Sequence, residues 1–183
     1  MNVFRNGCRN SILGFVIALL GTFLCACQSQ SKDDTSPACT RTDASCVLAC
    51  HDNCEPQCMY VKGQCDIDCG DFCAPVCRDS IDYGPCNIDC GDDCEPYCWI
   101  GEKCNLNCGD RCNARCRYMQ ECSFSVGNDA TIDCESDEIC NIGCAGNCRL
   151  KCTHVPNCTL NCAMNNPITC TNGDLACGDG CNL

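Results

Sequence analysis

Apolar residues recur along this chain in two different rhythms. Between Ser11 and Leu24 they run almost without a break, SILGFVIALLGTFL, whereas from Cys39 onward they alternate with polar residues and the apolar position is usually a cysteine. Blocks of the form C-x3-C-x3-C-x3-C begin at Cys46, Cys65, Cys86, Cys104 and Cys140, with degraded copies at Cys122 and Cys158. Cysteines four apart share a face in a helix and in a strand alike, so the residue between them decides. That position is Leu48, Ile67, Ile88, Leu106, Phe124, Ile142 and Leu160, and its neighbours are mostly Asp, Asn, Thr or Ser. A helix would turn it away from the cysteines; a strand turns all three inward, so each block predicts a short strand.

A corner follows each strand, at Gly70-Asp71, Gly91-Asp92 and Gly109-Asp110, with Gly127-Asn128 in a degraded copy. Glycine suits a positive φ there, and the carboxylate can accept from nearby backbone N–H groups. A second arm has Pro56, Pro75, Pro96, Ala114 or Leu150 at its centre, and three prolines exclude a continuous helix. From Cys104 the block starts fall 18 residues apart, and the slack in earlier copies is confined to the MYVKGQ and RDSIDYGP connections. The pattern predicts an all-β, disulfide-stapled repeat array, a small parallel β-solenoid with 18-residue coils; a string of independent hairpins also fits.

Within one strand, cysteines four apart are about 13 Å apart, beyond the reach of a disulfide. Pairing must cross a corner or join coils. In CSFSVGNDATIDC the cysteines expected at 126 and 130 are replaced together by Val126 and Ala130, which suggests that these positions are partners across the Gly-Asp corner. On that rule the pairs are 50–54, 69–73, 90–94, 108–112 and 144–148 across one corner. Across the other they are 39–46, 58–65, 77–86, 98–104, 116–122, 134–140, 152–158 and 170–177, leaving Cys162 to close on Cys181. Bonds between stacked coils are the competing arrangement.

Composition explains why the chain relies on such bonds. Of its 183 residues 31 are Cys and only 5% are aromatic, too little apolar bulk for an ordinary core. So many cysteines imply an exported disulfide scaffold or a metal store. Residues 1–26 have a signal peptide's layout, with Arg5 and Arg9 ahead of an apolar run too short to span a membrane comfortably. Leu24-Cys25-Ala26-Cys27 resembles the lipobox of bacterial lipoproteins, which implies Cys27 as the lipid-bearing first residue of the mature chain; an unlipidated secretory signal is the other reading. Removing Cys8 and Cys25 and lipidating Cys27 leaves 28 cysteines, an even number. Residues 27–38 read as lipidated terminus and tether, and residues 39–183 as one repeat domain. Without residues 1–26 the chain carries 10 basic and 24 acidic side chains, a net charge of −14 that disfavours nucleic acid as a partner.

Candidate chemistry is sparse. Asp68, Asp71, Asp89, Asp92 and Asp110 would form rows in stacked coils and could hold calcium, although the Gly-x-Gly-x-Asp spacing of calcium-binding β-rolls is missing. Past the processing site there is no C-x-C or C-x-x-C, which argues against a thiolate metal store and against thioredoxin-like exchange. His51, at a corner, and His154, in a loop, have no nucleophile or phosphate loop beside them. Tyr97, Trp99 and Tyr118 could form a small contact patch, and Asn157-Cys158-Thr159 matches a glycosylation acceptor.

With leader and repeats together, and with CTLNC followed by ITCTNGDLACGDGC, the chain resembles the Cys-rich repeat lipoproteins of secreting soil bacteria such as myxobacteria. That resemblance implies a surface-attached protein without assigned activity. The sequence thus leads us to expect a non-enzymatic structural or binding lipoprotein without cofactor. It would be anchored by lipid at the outer membrane or cell surface, with an envelope or extracellular protein or a glycan as partner. A calcium-binding or, less favoured, thiolate-binding envelope protein is the alternative.

Overall fold

The computed structural model describes residues 37–80, 84–135 and 138–183. The expected leader, the expected lipidation position Cys27 and most of the expected tether lie outside the described residues. The last two tether residues belong to the array. Pro37 is buried and its carbonyl accepts the N–H of Gln57 at 2.9 Å, and the first strand starts at Ala38.

The described residues form fourteen strands and one 3-10 turn, Gly180–Asn182. First arms are β2 (Cys46–Ala49), β4 (Cys65–Cys69), β6 (Cys86–Cys90), β10 (Ile139–Cys144) and β12 (Asn157–Cys162). Second arms are β1 (Ala38–Thr42), β3 (Gln57–Val61), β5 (Val76–Ser80), β9 (Ala130–Glu135) and β11 (Cys148–Cys152). In mid-array β7 (Tyr97–Cys108) and β8 (Asn113–Val126) each run through a second arm into the next first arm. Strands β13 (Ile168–Thr169) and β14 (Leu175–Cys177) close the end. The chain is a β-solenoid of stacked coils, with two parallel ladders facing each other: β2-β4-β6-β7-β8-β10-β12 and β1-β3-β5-β7-β8-β9-β11.

The register follows the repeat residue for residue. Leu48, Ile67, Ile88, Leu106, Phe124, Ile142 and Leu160 lie side by side down the first ladder, all buried. Opposite them stand buried Pro56, Pro75, Pro96, Ala114, Ile132 and Leu150. Proline lacks a ladder donor and delays the strand: β3, β5 and β7 each begin one residue after theirs, whereas β8, β9 and β11 start ahead of Ala114, Ile132 and Leu150.

Cysteine supplies the rest of the interior. Each second arm is tied to the next first arm by one bond: Cys39–Cys46, Cys58–Cys65, Cys77–Cys86, Cys98–Cys104, Cys116–Cys122, Cys134–Cys140 and Cys152–Cys158. At the first corner, between a first arm and the second arm of its block, Cys50–Cys54, Cys108–Cys112 and Cys144–Cys148 are bonded. Val126 sits in register between Cys108 and Cys144, and Ala130 beside Cys148, so the paired replacement does fall on two partner positions.

Two features of the expected pairing differ. The structure leaves Cys69, Cys73, Cys90 and Cys94 unbonded, where the corner rule would give 69–73 and 90–94. At the C-terminus it forms Cys162–Cys177 and Cys170–Cys181 in place of 162–181 and 170–177. The cause is a reversal of the chain: β14 runs antiparallel to β11, which brings Cys177 into register with Cys148, just as Cys162 is in register with Cys144. The first-corner rule thus holds in space after it has failed in sequence order.

Candidate functional site

The five predicted carboxylates divide between two places. Asp68 and Asp89 project outward from the first ladder as in-register neighbours, and Asn107 Nδ2 donates to Asp89 Oδ1 at 3.0 Å. Asp71, Asp92 and Asp110 lie at the corner, where each serves the coil above. The N–H of Asp71 donates to Asp52 Oδ1 at 3.0 Å, that of Asp92 to Asp71 at 2.8 Å, that of Asp110 to Asp92 at 2.9 Å and that of Asn128 to Asp110 at 2.7 Å. Arg111 Nη2 adds an ion pair to Asp92 at 3.7 Å. These oxygens cap backbone amides. Among the described residues, the groups of three or more potential ligands that converge consist of cysteines, each including a bonded pair, and no set of carboxylates joins them.

That ladder of caps explains the corner glycines differently from the expected positive φ. A Cβ on Gly70, Gly91, Gly109 or Gly127 would fall against the Oδ1 of Asp52, Asp71, Asp92 or Asp110. Glycine is there so that the carboxylate below can approach. The left-handed backbone occurs two residues later, at Asn53, Phe72, Asp93, Arg111 and Asp129, with φ between 55° and 58°. The first four are held by N–H bonds to the next coil of 2.7–2.9 Å. His51 occupies the glycine position of the first coil, where no earlier corner lies beneath it among the described residues.

The outward side of the first ladder forms a shallow groove of about 720 Å³. Its lining combines short polar side chains, in rows one strand apart, with Val47, Ile67, Ile88, Leu106 and Phe124. Asn87 Nδ2 donates to Asp66 Oδ1 at 2.7 Å and Asn105 Nδ2 to Asn87 Oδ1 at 2.8 Å, so amide and carboxylate bond along the row. Sequence reasoning treated these positions only as the polar half of an alternation. Their identity as a continuous row depends on the register. Of the aromatic residues, Trp99 lies under the Arg78 guanidinium, 3.8 Å from its carbon to the ring centre. Tyr118 is exposed at a left-handed corner with φ 55°, one residue after Arg117, the in-register neighbour of Trp99. Cys158 of the glycosylation motif is bonded to Cys152.

The unbonded cysteines are the more reactive chemistry. All four are buried, on the first corners of two adjacent coils, with Cys69 in register with Cys90 and their sulfurs 3.1 Å apart. Cys94 accepts hydrogen bonds from Cys69 and Cys90, which pull its thiol well below the usual range. Cys90 is pushed up, first by the hydrogen bonds it gives to Cys69 and Cys94 and then by burial. Cys69 feels a lowering bond from Cys90, but its bond to Cys94, burial and nearby Cys73 raise it overall. Burial raises Cys73, whose sulfur also lies 2.9 Å from that of Cys54. Set against protein-family models, curated proteins and solved structures, the chain finds no match in any of the three.

Proposed function

We propose that this chain is a non-enzymatic scaffold of a bacterial envelope, held to the membrane by lipid on Cys27 and presenting the polar face of its first ladder to an extracellular or envelope partner. The observation that carries this reading is the uninterrupted second-corner column, one bond per coil from Cys39–Cys46 to Cys152–Cys158. A rod stapled at every coil keeps its shape outside the cell, where disulfides persist. Rows such as Asp66, Asn87 and Asn105 offer both donors and acceptors that a hydroxyl-rich ligand such as a glycan can meet. The leader sequence supports the anchor.

The test is the intact mass, without reduction, of the protein extracted from membranes. Added acyl mass on a chain beginning at Cys27 supports the anchored scaffold. A soluble product lacking acyl mass and starting elsewhere overturns it. The calcium reading finds less support, since the Oδ1 atoms of Asp71, Asp92 and Asp110 already accept backbone N–H groups.

A further inference from the structure

The disulfides at the two corners join residues four to nine apart in the sequence. None of these bonds joins partners across a ladder, so neighbouring strands are held to each other without sulfur. Cys69 and Cys90 are such partners, on β4 and β6. Both are buried, at 6% and 5% exposure, and their sulfurs stand 3.1 Å apart. Of the register pairs of cysteines in the two ladders, among the described residues, this one alone has both sulfurs unbonded. The thiols that the corner rule would give them are also engaged elsewhere. Cys73 Sγ donates to the carbonyl of His51 at 3.2 Å and lies 2.9 Å from Cys54 Sγ in the coil before it, and Cys94 Sγ donates to the carbonyl of Gly70 at 3.3 Å.

We propose that Cys69 and Cys90 are an oxidation site, at which a small disulfide compound closes a bond across the ladder and ties the second coil to the third. This goes beyond the anchored-scaffold reading and stands or falls separately from it. Partners on parallel strands lie about 4.8 Å apart, within the roughly 4.4–6.8 Å of Cα separation that a disulfide tolerates. Closing the 3.1 Å contact to a bond of about 2.05 Å brings the sulfurs together by about 1 Å, a movement that side-chain rotation on two fixed strands can supply. The thiol-to-carbonyl bond given up is a long one, Cys69 Sγ to the carbonyl of Asp89 at 3.5 Å, whereas corner closure gives up the shorter bonds of Cys73 and Cys94. One thiol of the pair, as thiolate, attacks a sulfur of the oxidant R–S–S–R and expels one R–S⁻; the second, as thiolate, attacks the first sulfur of that mixed disulfide and expels the other. Two electrons pass from the pair to the oxidant, and the two thiol protons end on two R–SH. Burial excludes a bulky oxidant, so a small disulfide is the class the site takes. The product is a covalent joint between the two coils whose own first corners are open.

The experiment uses the whole processed protein, purified without reductant and then treated with cystamine as the small disulfide. Free thiols are labelled with N-ethylmaleimide after denaturation, and unreduced peptides are mapped before and after treatment. The map should show residues 69 and 90 joined, at the latest after treatment, with label left on residues 73 and 94 alone. Cys73→Ala with Cys94→Ala, in which neither corner can close, should form the same bond. Since that variant could fail to fold, the map of the unaltered chain decides on its own. A bond between 69 and 73 or between 90 and 94, before or after treatment, overturns the proposal. A treated chain that keeps label on all four, or that stops with cysteamine bound to one of the pair, overturns it as well. Acyl mass on Cys27 is read separately, so neither result bears on the anchor.

Discussion

The two corners of each coil make the same turn with opposite consistency. At the second corner every coil carries a disulfide. At the first, the column reads bonded, open, open, bonded, Val126 with Ala130, bonded, and then a bond to Cys177 from outside the repeat. The corners differ in what else holds them. The first corner has constant length and a relay of Asp side chains capping the next coil's amides, whereas at the second corner the connection varies in length, is joined by backbone bonds such as Lys62 N–H to Thr42 O, and keeps a disulfide in every described copy. The corner with the side-chain relay is the one that gives up its cystine.

The broadest way to break this comparison is to remove both columns with reductant under otherwise native conditions. Each closed loop is worth on the order of 2–3 kcal/mol without simple additivity, and domain stability is about 5–15 kcal/mol, so the far-ultraviolet β signal should collapse. A spectrum that survives reduction would make the staples dispensable. Next, Cys116→Ser with Cys122→Ser removes one second-corner bond and should cost about 3 kcal/mol in urea unfolding without reductant. Cys108→Val with Cys112→Ala copies the natural replacement at the first corner and should cost about 1–2 kcal/mol; equal losses would erase the distinction. Gly109→Ala, which pushes a Cβ into the Asp92 carboxylate, should cost about 1–2 kcal/mol, while His51→Ala in the first coil should stay within about 0.5 kcal/mol.

The smallest effect concerns pH. Arg111 binds both oxygens of Asp93 at 2.7 Å and holds its carboxyl below the usual range. A carboxyl lowered in the folded state adds stability above its unfolded value and loses it as pH falls through the folded one. Arg111→Gln should therefore weaken the protein slightly at neutral pH and flatten the acid limb of its melting temperature. A variant whose acid limb is unchanged would show that the pair contributes nothing.

Strand type, coil length and most pairings were legible because period-two alternation and a fixed repeat both survive translation into register. Leu48 through Leu160 predicted a buried row, and that row is the core. Three things were not legible. Cys177 reaches the corner column through an antiparallel return, and a linear pattern extrapolated forward misses a reversal. Gly109 and its counterparts were assigned to turn conformation because the carboxylate that requires them comes from the preceding coil. The openness of Cys69, Cys73, Cys90 and Cys94 has no signal in spacing at all, since these four occupy the same motif positions as bonded cysteines elsewhere.

The antiparallel return has a consequence for length. It holds the C-terminal end shut: Arg149 Nε binds the buried carboxylate of Asp174 at 2.7 Å, and β13 lies beyond β14 as a short outer edge. A unit of 18 residues duplicated anywhere upstream would slide between coils already matched to receive it and leave this closure untouched. Each such event adds about 4.8 Å to a rod whose stacked coils span roughly 30 Å. The cap turns the repeat into a ruler, so that the length of the rod can change by duplication alone, with the closing strands unaltered.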